Sequence, residues 1–390
     1  MASPTPPDNS VPLWRDDRIL RLGLQALVLV VVVGAGAIMV GNMNRNLQQL
    51  GRQFDYGFLK NQAGFNIGES ILPYAPNDSY GWALFVGLVN TLRLILVGFI
   101  TTTAVGVLAG IASFSDNWLI RRLNLIYVEV VRNTPLLLQL FCWYFVILFG
   151  LSQGGEVRPI LGGIYVSKKG LTLPWPANTP AAWLSALALV MLAVAAYLVW
   201  RWHLGQIQQS GRPGRAPGLL LWGLGAIALS LFCFGLGWSF PRLGDDNLVV
   251  GGVRISLEYA AMLAGLTFYT GAFIAEIVRA GIQSVSRGQW EAARSLGLKT
   301  GLALRLVVFP QALRVIIPSL SGQYMNLAKN SSLALAIGYP DIFATGQTIQ
   351  NQTGRAVEVV LLWAVTYLSI NLIISLVMNR FNQSVQIRER

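Results

Sequence analysis

The chain has 390 residues, 54% of them hydrophobic and only 12% charged, with a formal net charge of +12. Charged residues make up about 25% of ordinary soluble domains, so this deficit excludes a soluble globular protein and points to the membrane. The Lys and Arg excess would suit a nucleic-acid binder if it clustered on one surface, but it is spread along the chain between apolar runs.

Residues 1–18 are polar and Pro-rich and predict a cytoplasmic tail. An apolar run over 20–42 follows, then a polar outer segment, so 19–81 reads as a first transmembrane helix with an extracytoplasmic extension. Ala35-Gly36-Ala37 resembles a signal-peptide cleavage site, yet the stretch from Leu22 to Val40 is too long and its leading segment too bulky for one. Further apolar runs cover 82–111, 125–150, 181–201, 218–238, 258–281, 313–345 and 358–379. A hydrocarbon core of about 30 Å needs roughly 20 helical residues, so eight transmembrane helices are expected, the longer ones tilted or kinked. The run at 313–345 is the one expected to break, because Lys329-Asn330-Ser331-Ser332 interrupts it. A short charged turn joins Ser115-Asp116-Asn117 to Arg121-Arg122. The segment 151–180, with Gly154-Gly155, Gly162-Gly163 and Pro174-Trp175-Pro176, predicts a surface loop. Gln206 to Pro217 suits a flexible inner linker, and 381–390 a cytoplasmic C-terminal tail.

With the amino terminus inside and eight alternating spans, 17 of the 29 Lys and Arg fall on the inner side and 9 on the outer side. Arg93, Arg132 and Lys329 remain inside spans. This orientation obeys the positive-inside rule and its reverse does not, so the basic balance is topology and nucleic acid is not an expected partner. Cys142 and Cys233 lie in apolar spans and read as small packing residues. His203, beside Trp200 and Trp202, reads as interfacial. One histidine builds neither a catalytic triad nor a metal site, and no Gly-x-x-x-x-Gly-Lys-Ser/Thr phosphate loop occurs. No catalytic residue, metal or cofactor is therefore expected, and the chain is expected not to be an enzyme.

The passage 286–310 is the polar exception between long apolar runs. Trp290 to Leu296 favours a short helix stopped by Gly297, and Leu298 to Val308 restarts one, with Pro310 and Pro318 interrupting the ladder. Arg294, Lys299 and Arg305 should be exposed. On periodicity alone this shape fits a groove on a partner and a helix lying on lipid headgroups equally well. Inside the spans, Glu129, Arg132, Gln139, Glu276 and Lys329 would cost several kcal/mol each facing lipid, about 2.5–3.5 for Arg or Asp at mid-span. They should therefore face protein, water or a pathway. Asn326, Lys329, Asn330, Ser331 and Ser332, with Gln139, supply donors for a carboxylate-bearing solute. The same residues also suit interhelical hydrogen bonds. Glu129 with Arg132, and Glu276 with Arg279, lie three apart and predict pairs on single helix faces.

Four segments carry a resemblance to a known family. Glu291-Ala292-Ala293, Gly297, Val307, Phe309 and Pro310 resemble the coupling motif of ATP-binding-cassette (ABC) importer permeases, with Val307 and Phe309 in place of the usual Ile and Leu. Glu276 to Val285, Lys329 to Leu333, and Arg132-Asn133-Thr134-Pro135-Leu136-Leu137-Leu138-Gln139 resemble the subfamily that imports polar amino acids. Gly64-Phe65-Asn66-Ile67-Gly68-Glu69-Ser70, Tyr80-Gly81 and the inserted helix pair 181–238 are similar to its enlarged general L-amino-acid or glutamate/glutamine members. The resemblance implies an all-α polytopic membrane protein of the type I ABC importer permease fold, in a bacterial inner membrane with both termini cytoplasmic. The permease domain then spans 82–380. Coupling would fall to Gln289, Trp290, Glu291, Ala292, Ala293, Arg294 and Gly297, and the substrate pathway to Gln139, Asn326, Lys329, Asn330, Ser331 and Ser332. Implied partners are an ATPase dimer, a second homologous permease, an extracytoplasmic solute-binding protein, an amino-acid substrate and membrane lipid. The alternative is an ion- or proton-coupled secondary transporter, which predicts paired broken helices in related halves.

Overall fold

The computed structural model describes residues 17–49, 51, 53–152, 157–161, 163–210, 215–244 and 249–385. Most of the expected N-terminal tail (1–16), half of the C-terminal tail (386–390), the centre of the inner linker (211–214), Gly154-Gly155 and Gly162 lie outside the described residues. The chain divides into two compact units, Met1–Asn61 and Gln62–Arg390. The first holds α1, Asp17–Gln49, and a single 3-10 turn at Gly57–Lys60. The apolar part of α1, Leu20–Asn46, buries none of its span window, so its side chains are dressed for lipid rather than for a protein core.

In the second unit α2 covers Tyr80–Ala112 and α3 covers Trp118–Arg132. Leu136–Ser152 forms α4, with a π-helical stretch at Cys142–Phe149. A helical hairpin follows: α5, Pro180–Ser210, and α6, Arg215–Ser230, extended by a π-turn at Leu231–Gly235. Then come α7, Leu257–Gln283, and α8, Arg287–Ser295. The long α9 spans Thr300–Ile337, before α10, Ile342–Thr353, and α11, Ala356–Val385. The starts are written in the sequence. Ser79, Asn117, Ser256 and Asp341 sit in extended backbone, and each side chain accepts a hydrogen bond from an amide of the first turn.

Among the described residues seven helices are long and apolar enough to cross a membrane alone, and the pair α3–α4 makes eight if it counts as one bent span. The break expected at 326–332 is absent. The chain stays α-helical to Asn330 and tightens into a 3-10 turn at Ser331–Ile337. The Ser331 and Ser332 hydroxyls donate back to the carbonyls of Ala328 and Lys329, each at 2.8 Å, so they find partners within their own helix without opening it. The sharp break lies in the run at 125–150, where α3 and α4 meet at 110°. Pro135 has no N–H to continue the ladder and disfavours helix at Thr134. Side chains close this last turn: Thr134 Oγ1 bonds Val130 O at 2.7 Å, while Asn133 Nδ2 joins the backbone donor on Glu129 O at 2.8 Å and Gln139 Nε2 joins the one on Val131 O at 2.8 Å. Pro310 and Pro318 do not interrupt α9 either. A π-turn at Leu304–Val308 widens the ladder just ahead of Pro310, and the helix continues through Pro318.

α7 is the axis of the bundle. Its span window is 61% buried, against 6% for α5. Leu94, Leu140, Met262, Leu266, Leu327 and Ile370 join α2, α4, α7, α9 and α11 in one cluster. Ile274, Val278, Ile282, Val308 and Ile316 join the far half of α7 to α9 in a second. Close approach of α2 to α7 depends on Gly110, where a Cβ would come within 2.6 Å of Val278. By contrast, the α5–α6 hairpin leaves Trp183, Leu187, Met191, Trp222 and Phe234 exposed. Cys142 and Cys233, expected as packing residues, are both free and exposed, because the π-helical stretches carry them on outward faces.

The segment 151–180, expected as a loop, holds three short strands, β1 Arg158–Leu161, β2 Ile164–Ser167 and β3 Gly170–Leu173, and the connection from α6 to α7 holds three more, β4 Arg242–Leu243, β5 Val249–Val250 and β6 Val253–Ile255. They form an antiparallel sheet in the order β1-β2-β3-β6 and a separate β4-β5 pair. Val166 pairs with Leu171, and both turn toward the main cluster. β6 leads directly into Ser256, the cap of α7. The ends of α7 are called outer (Leu257) and inner (Gln283) below, after the orientation expected from the charges.

Candidate functional site

At the inner end Ser284–Ser286 turns the chain from α7 into α8. Gly297 ends α8 with φ +74, and two backbone bonds close the turn: Gly297 N to Arg294 O at 2.8 Å and Leu298 N to Ala293 O at 3.1 Å. This is a Schellman stop, which places its glycine in the left-handed region. No heavy atom would lie within 4 Å of a Cβ at Gly297, so conformation and not space selects glycine there. One face of α8 is anchored. Ala293 is buried, Trp290 packs on the inner cluster, and Gln289 Oε1 accepts from Gln311 Nε2 of α9 at 3.1 Å. The other face carries Glu291, Ala292 and Arg294 in the open, Gln289 is exposed at the edge of the anchored face, and Lys299 and Arg305 are exposed beyond the turn. Leu296, at the tip, is 79% exposed.

Beside this loop α3 and α7 build a charged vestibule. Glu276 accepts from Arg279 through Nε at 3.1 Å and Nη2 at 2.5 Å, as its spacing predicts. Arg132 does not pair with Glu129. It reaches across to Glu276 at 3.6 Å and lies 5.3 Å from the centre of the Phe273 ring. The end of α3 at Arg132 is set by the break at Pro135, and that placement points the guanidinium at α7 rather than back along its own helix. Glu129 is exposed and lines, with Arg121, Asn124, Arg132, Glu276 and Arg279, a cavity of about 280 Å³.

The segment 326–332 is divided. Asn326 and Lys329 are exposed, Asn330 and Ser332 are half-buried, and Ser331 is buried. Lys329 and Ser332 line a cavity of about 350 Å³ with Phe343, Trp363 and Tyr367. Gln139 is not among that cavity's lining residues, and its amide is committed to the carbonyls of Val131 and Thr134.

Sequence reasoning missed a clasp at the outer end. Glu69 pairs with Arg93 of α2 and accepts from Ser256 N at the start of α7 at 3.1 Å. The Arg93 guanidinium lies 4.0 Å from the centre of the Tyr259 ring, and Asn90 Nδ2 bonds both Glu69 O and Pro340 O. Next to it Asp341 caps α10 through Ala344 N at 2.7 Å and accepts from Tyr367. Burial raises the Asp341 carboxyl to about 7, against the hydrogen bonds it accepts from Ala344, Phe343 and Tyr367. The available signal was one Arg inside an apolar run and one Glu in the preceding loop.

A helical bundle built around one buried axis, with an exposed helix–glycine–helix loop on its inner end, defines a polytopic membrane component of the transport type. The family described as binding-protein-dependent transport system inner membrane component matches residues 219–387. The chain is 40% identical over 378 residues to the general L-amino acid transport system permease protein AapQ of Rhizobium johnstonii, covering 96% of this chain and 94% of that protein. It is 36% identical to the glutamate/glutamine/aspartate/asparagine transport system permease protein BztB of Rhodobacter capsulatus, covering 96% of each. Among solved structures, an amino acid ABC transporter crystallised with histidines aligns at a TM-score of 0.47 and 23% identity over 78% of this chain and 95% of that one. The chain belongs to the family of inner membrane components of binding-protein-dependent transport systems, among its ABC permeases. That membership replaces the alternative of an ion- or proton-coupled carrier.

Proposed function

We propose that this chain forms one half of the transmembrane pathway of an ATP-driven amino-acid importer, with both termini in the cytoplasm. The amino-acid cargo follows from the names of relatives that align along nearly the whole chain. Its partners are an ATPase dimer, a second homologous permease that completes the pathway, and an extracytoplasmic binding protein that delivers the solute. Hydrolysis belongs to the ATPase, and this chain catalyses no reaction. The permease domain covers 82–380, with the hairpin 181–238 inserted into it. Gln289, Trp290, Glu291, Ala292, Ala293, Arg294 and Gly297 form the coupling surface. Asn326, Lys329, Asn330, Ser331 and Ser332, with Gln139, line or support the pathway.

The observation that carries this reading is Leu296. An apolar side chain 79% exposed at the tip of a polar loop, beyond the apolar spans, suits a pocket on a partner. Because α8 is tied to α9 through Gln289 and to the inner cluster through Trp290, a displacement of α8 moves those helices as a body. The differential contact the ATPase makes in its two states supplies the energy. The test is Leu296→Glu in proteoliposomes containing the full complex and binding protein. Uptake should fall by about tenfold or more, as for loss of a buried anchor worth at least ~1.4 kcal/mol, with normal membrane insertion. Unchanged uptake would remove the loop from the coupling surface.

A further inference from the structure

We propose that the inner vestibule between α3 and α7 is a release-side binding site for an α-amino-acid zwitterion. This inference rests on the importer reading above and adds a site separate from the 326–332 segment. Three observations converge on it. The first is shape and charge: the cavity of about 280 Å³ is lined by the cations Arg121, Arg132 and Arg279 and by the anions Glu129 and Glu276. The second is how those charges are spent. Arg279 holds both oxygens of Glu276, while Arg132 stands off at 3.6 Å, beyond ordinary hydrogen-bond length, so its donors are only partly used. Glu129 makes no ion pair among the described residues. The third is spacing: Glu129 and Arg132 lie three apart on one helix, where Cβ atoms sit about 5–6 Å from each other, yet they leave the gap between them open.

An α-amino acid carries its ammonium and carboxylate on one carbon. It can offer the ammonium to Glu129 and the carboxylate to Arg132 at once, which closes the gap with charge-assisted hydrogen bonds of both signs. A simple anion would use only the arginines, and a simple cation only Glu129. The position gives the site a consequence. Gln283 lines this cavity and also the neighbouring one formed by Arg287, Trp290, Glu291 and Arg294 at the root of the coupling helix. A solute held here therefore sits against the segment that must move with the ATPase. By reciprocity of binding free energies, internal solute and the ATPase-driven state influence each other. Solute bound at the inner face favours the state open to that face and opposes ATP-driven closure, so accumulated product is expected to slow hydrolysis.

The experiment uses the assembled complex of both permeases and the ATPase in nanodiscs, without binding protein. Binding of labelled L-glutamine is measured by equilibrium dialysis for wild type and Glu129→Gln. Glutaramic acid, which lacks the α-ammonium, is the competitor. ATPase rates with and without millimolar L-glutamine are measured in parallel, and co-purification of the ATPase with Glu129→Gln checks its folding. The expected result is binding about tenfold weaker in Glu129→Gln, together with loss of the inhibition of hydrolysis by L-glutamine. Glutaramic acid should compete weakly and equally in both proteins. Equal L-glutamine affinity in wild type and Glu129→Gln, or glutaramic acid competing as well as L-glutamine itself, overturns the site. Wild-type proteoliposomes with binding protein separate the two claims. If they import amino acids while the nanodisc assay shows no difference, only the vestibule proposal fails. If they import none, the importer reading fails and the site falls with it.

Discussion

Gly297 and Asp341 are single residues whose chemistry can be read separately from their neighbours. At Gly297 the backbone is left-handed and the surroundings are empty, so a side chain meets strain without a clash. An L-residue there costs about 1–2 kcal/mol, and Asn tolerates the conformation better. Gly297→Ala should cut uptake by roughly tenfold, and Gly297→Asn by less, with both proteins inserting normally. Equal uptake by all three forms would mean that the turn geometry does not matter for coupling. At Asp341 burial holds the carboxyl near 7, above the usual carboxylate value of 3.8. A folded-state value raised above the unfolded one adds stability that is complete below about pH 4 and is lost as pH rises through about 7. Burial raises the neighbouring Tyr339 phenol further above its usual range, so it stays neutral across this window. Thermal unfolding of the purified complex should therefore shift to lower temperature between pH 5 and pH 8. Asp341→Asn keeps an acceptor for the cap and should flatten that trend; an unchanged slope would locate the pH response elsewhere.

Among the elements, the break between α3 and α4 shows how much the sequence discloses and where it stops. Apolar runs locate the starts of most helices to within a few residues, because length and hydropathy are summed over whole spans; the run at 313–345 is the exception, since α9 covers Thr300–Ile337. The Schellman stop at Gly297 was legible as well, because it is coded by a few adjacent residues. Composition points to Lys329–Ser332, where the helix is continuous; the run 313–345 instead breaks at Gly338, between α9 and α10, and the sharper 110° bend lies at Asn133-Thr134-Pro135, which act through backbone chemistry. Strands of two to four residues are too short for alternation to register, so the outer sheet read as loop. Intrahelical spacing, the only kind visible in one dimension, pairs Arg132 with Glu129; its ion pair with Glu276 runs from α3 to α7 and is visible only once the two helices are packed together. Gln139 tests the same point. If its amide serves the break, Gln139→Leu removes the donor to Thr134 O and the second donor to Val131 O, which keeps Thr134 N at 3.3 Å, at a cost of about 1–3 kcal/mol. The melting temperature of the complex should drop by several degrees while the KM for uptake by the surviving protein holds. A changed KM with unchanged melting temperature would return Gln139 to the solute pathway.

Across the whole second unit, α7 joins three stations: the outer clasp, the buried bundle core and the inner loop. Glu69 bonds the first amide of its cap, Arg93 covers Tyr259 in its first turn, and its inner end passes directly into α8. A helix of 27 residues transmits displacement only if both ends are held. The outer sheet contributes through β6, which is covalently continuous with the cap. The clasp should therefore matter to coupling at a distance of about 40 Å, the length of such a helix at 1.5 Å per residue. Glu69→Gln retains an oxygen for Ser256 N but leaves Arg93 without its counter-charge in a mostly buried place. Removing one partner of such a pair is more costly than replacing both by apolar groups of similar volume. Glu69→Gln alone should lower the melting temperature and reduce the stimulation of ATPase activity by the binding protein. Glu69→Gln combined with Arg93→Met keeps the acceptor for Ser256 N, removes the unpaired cation and should restore the melting temperature. The coupling readout then separates two roles. If stimulation stays low in the thermally restored double variant, the polar clasp itself positions α7 for transmission. If stimulation returns with the melting temperature, the clasp only holds the fold and α7 is steadied by its packing alone.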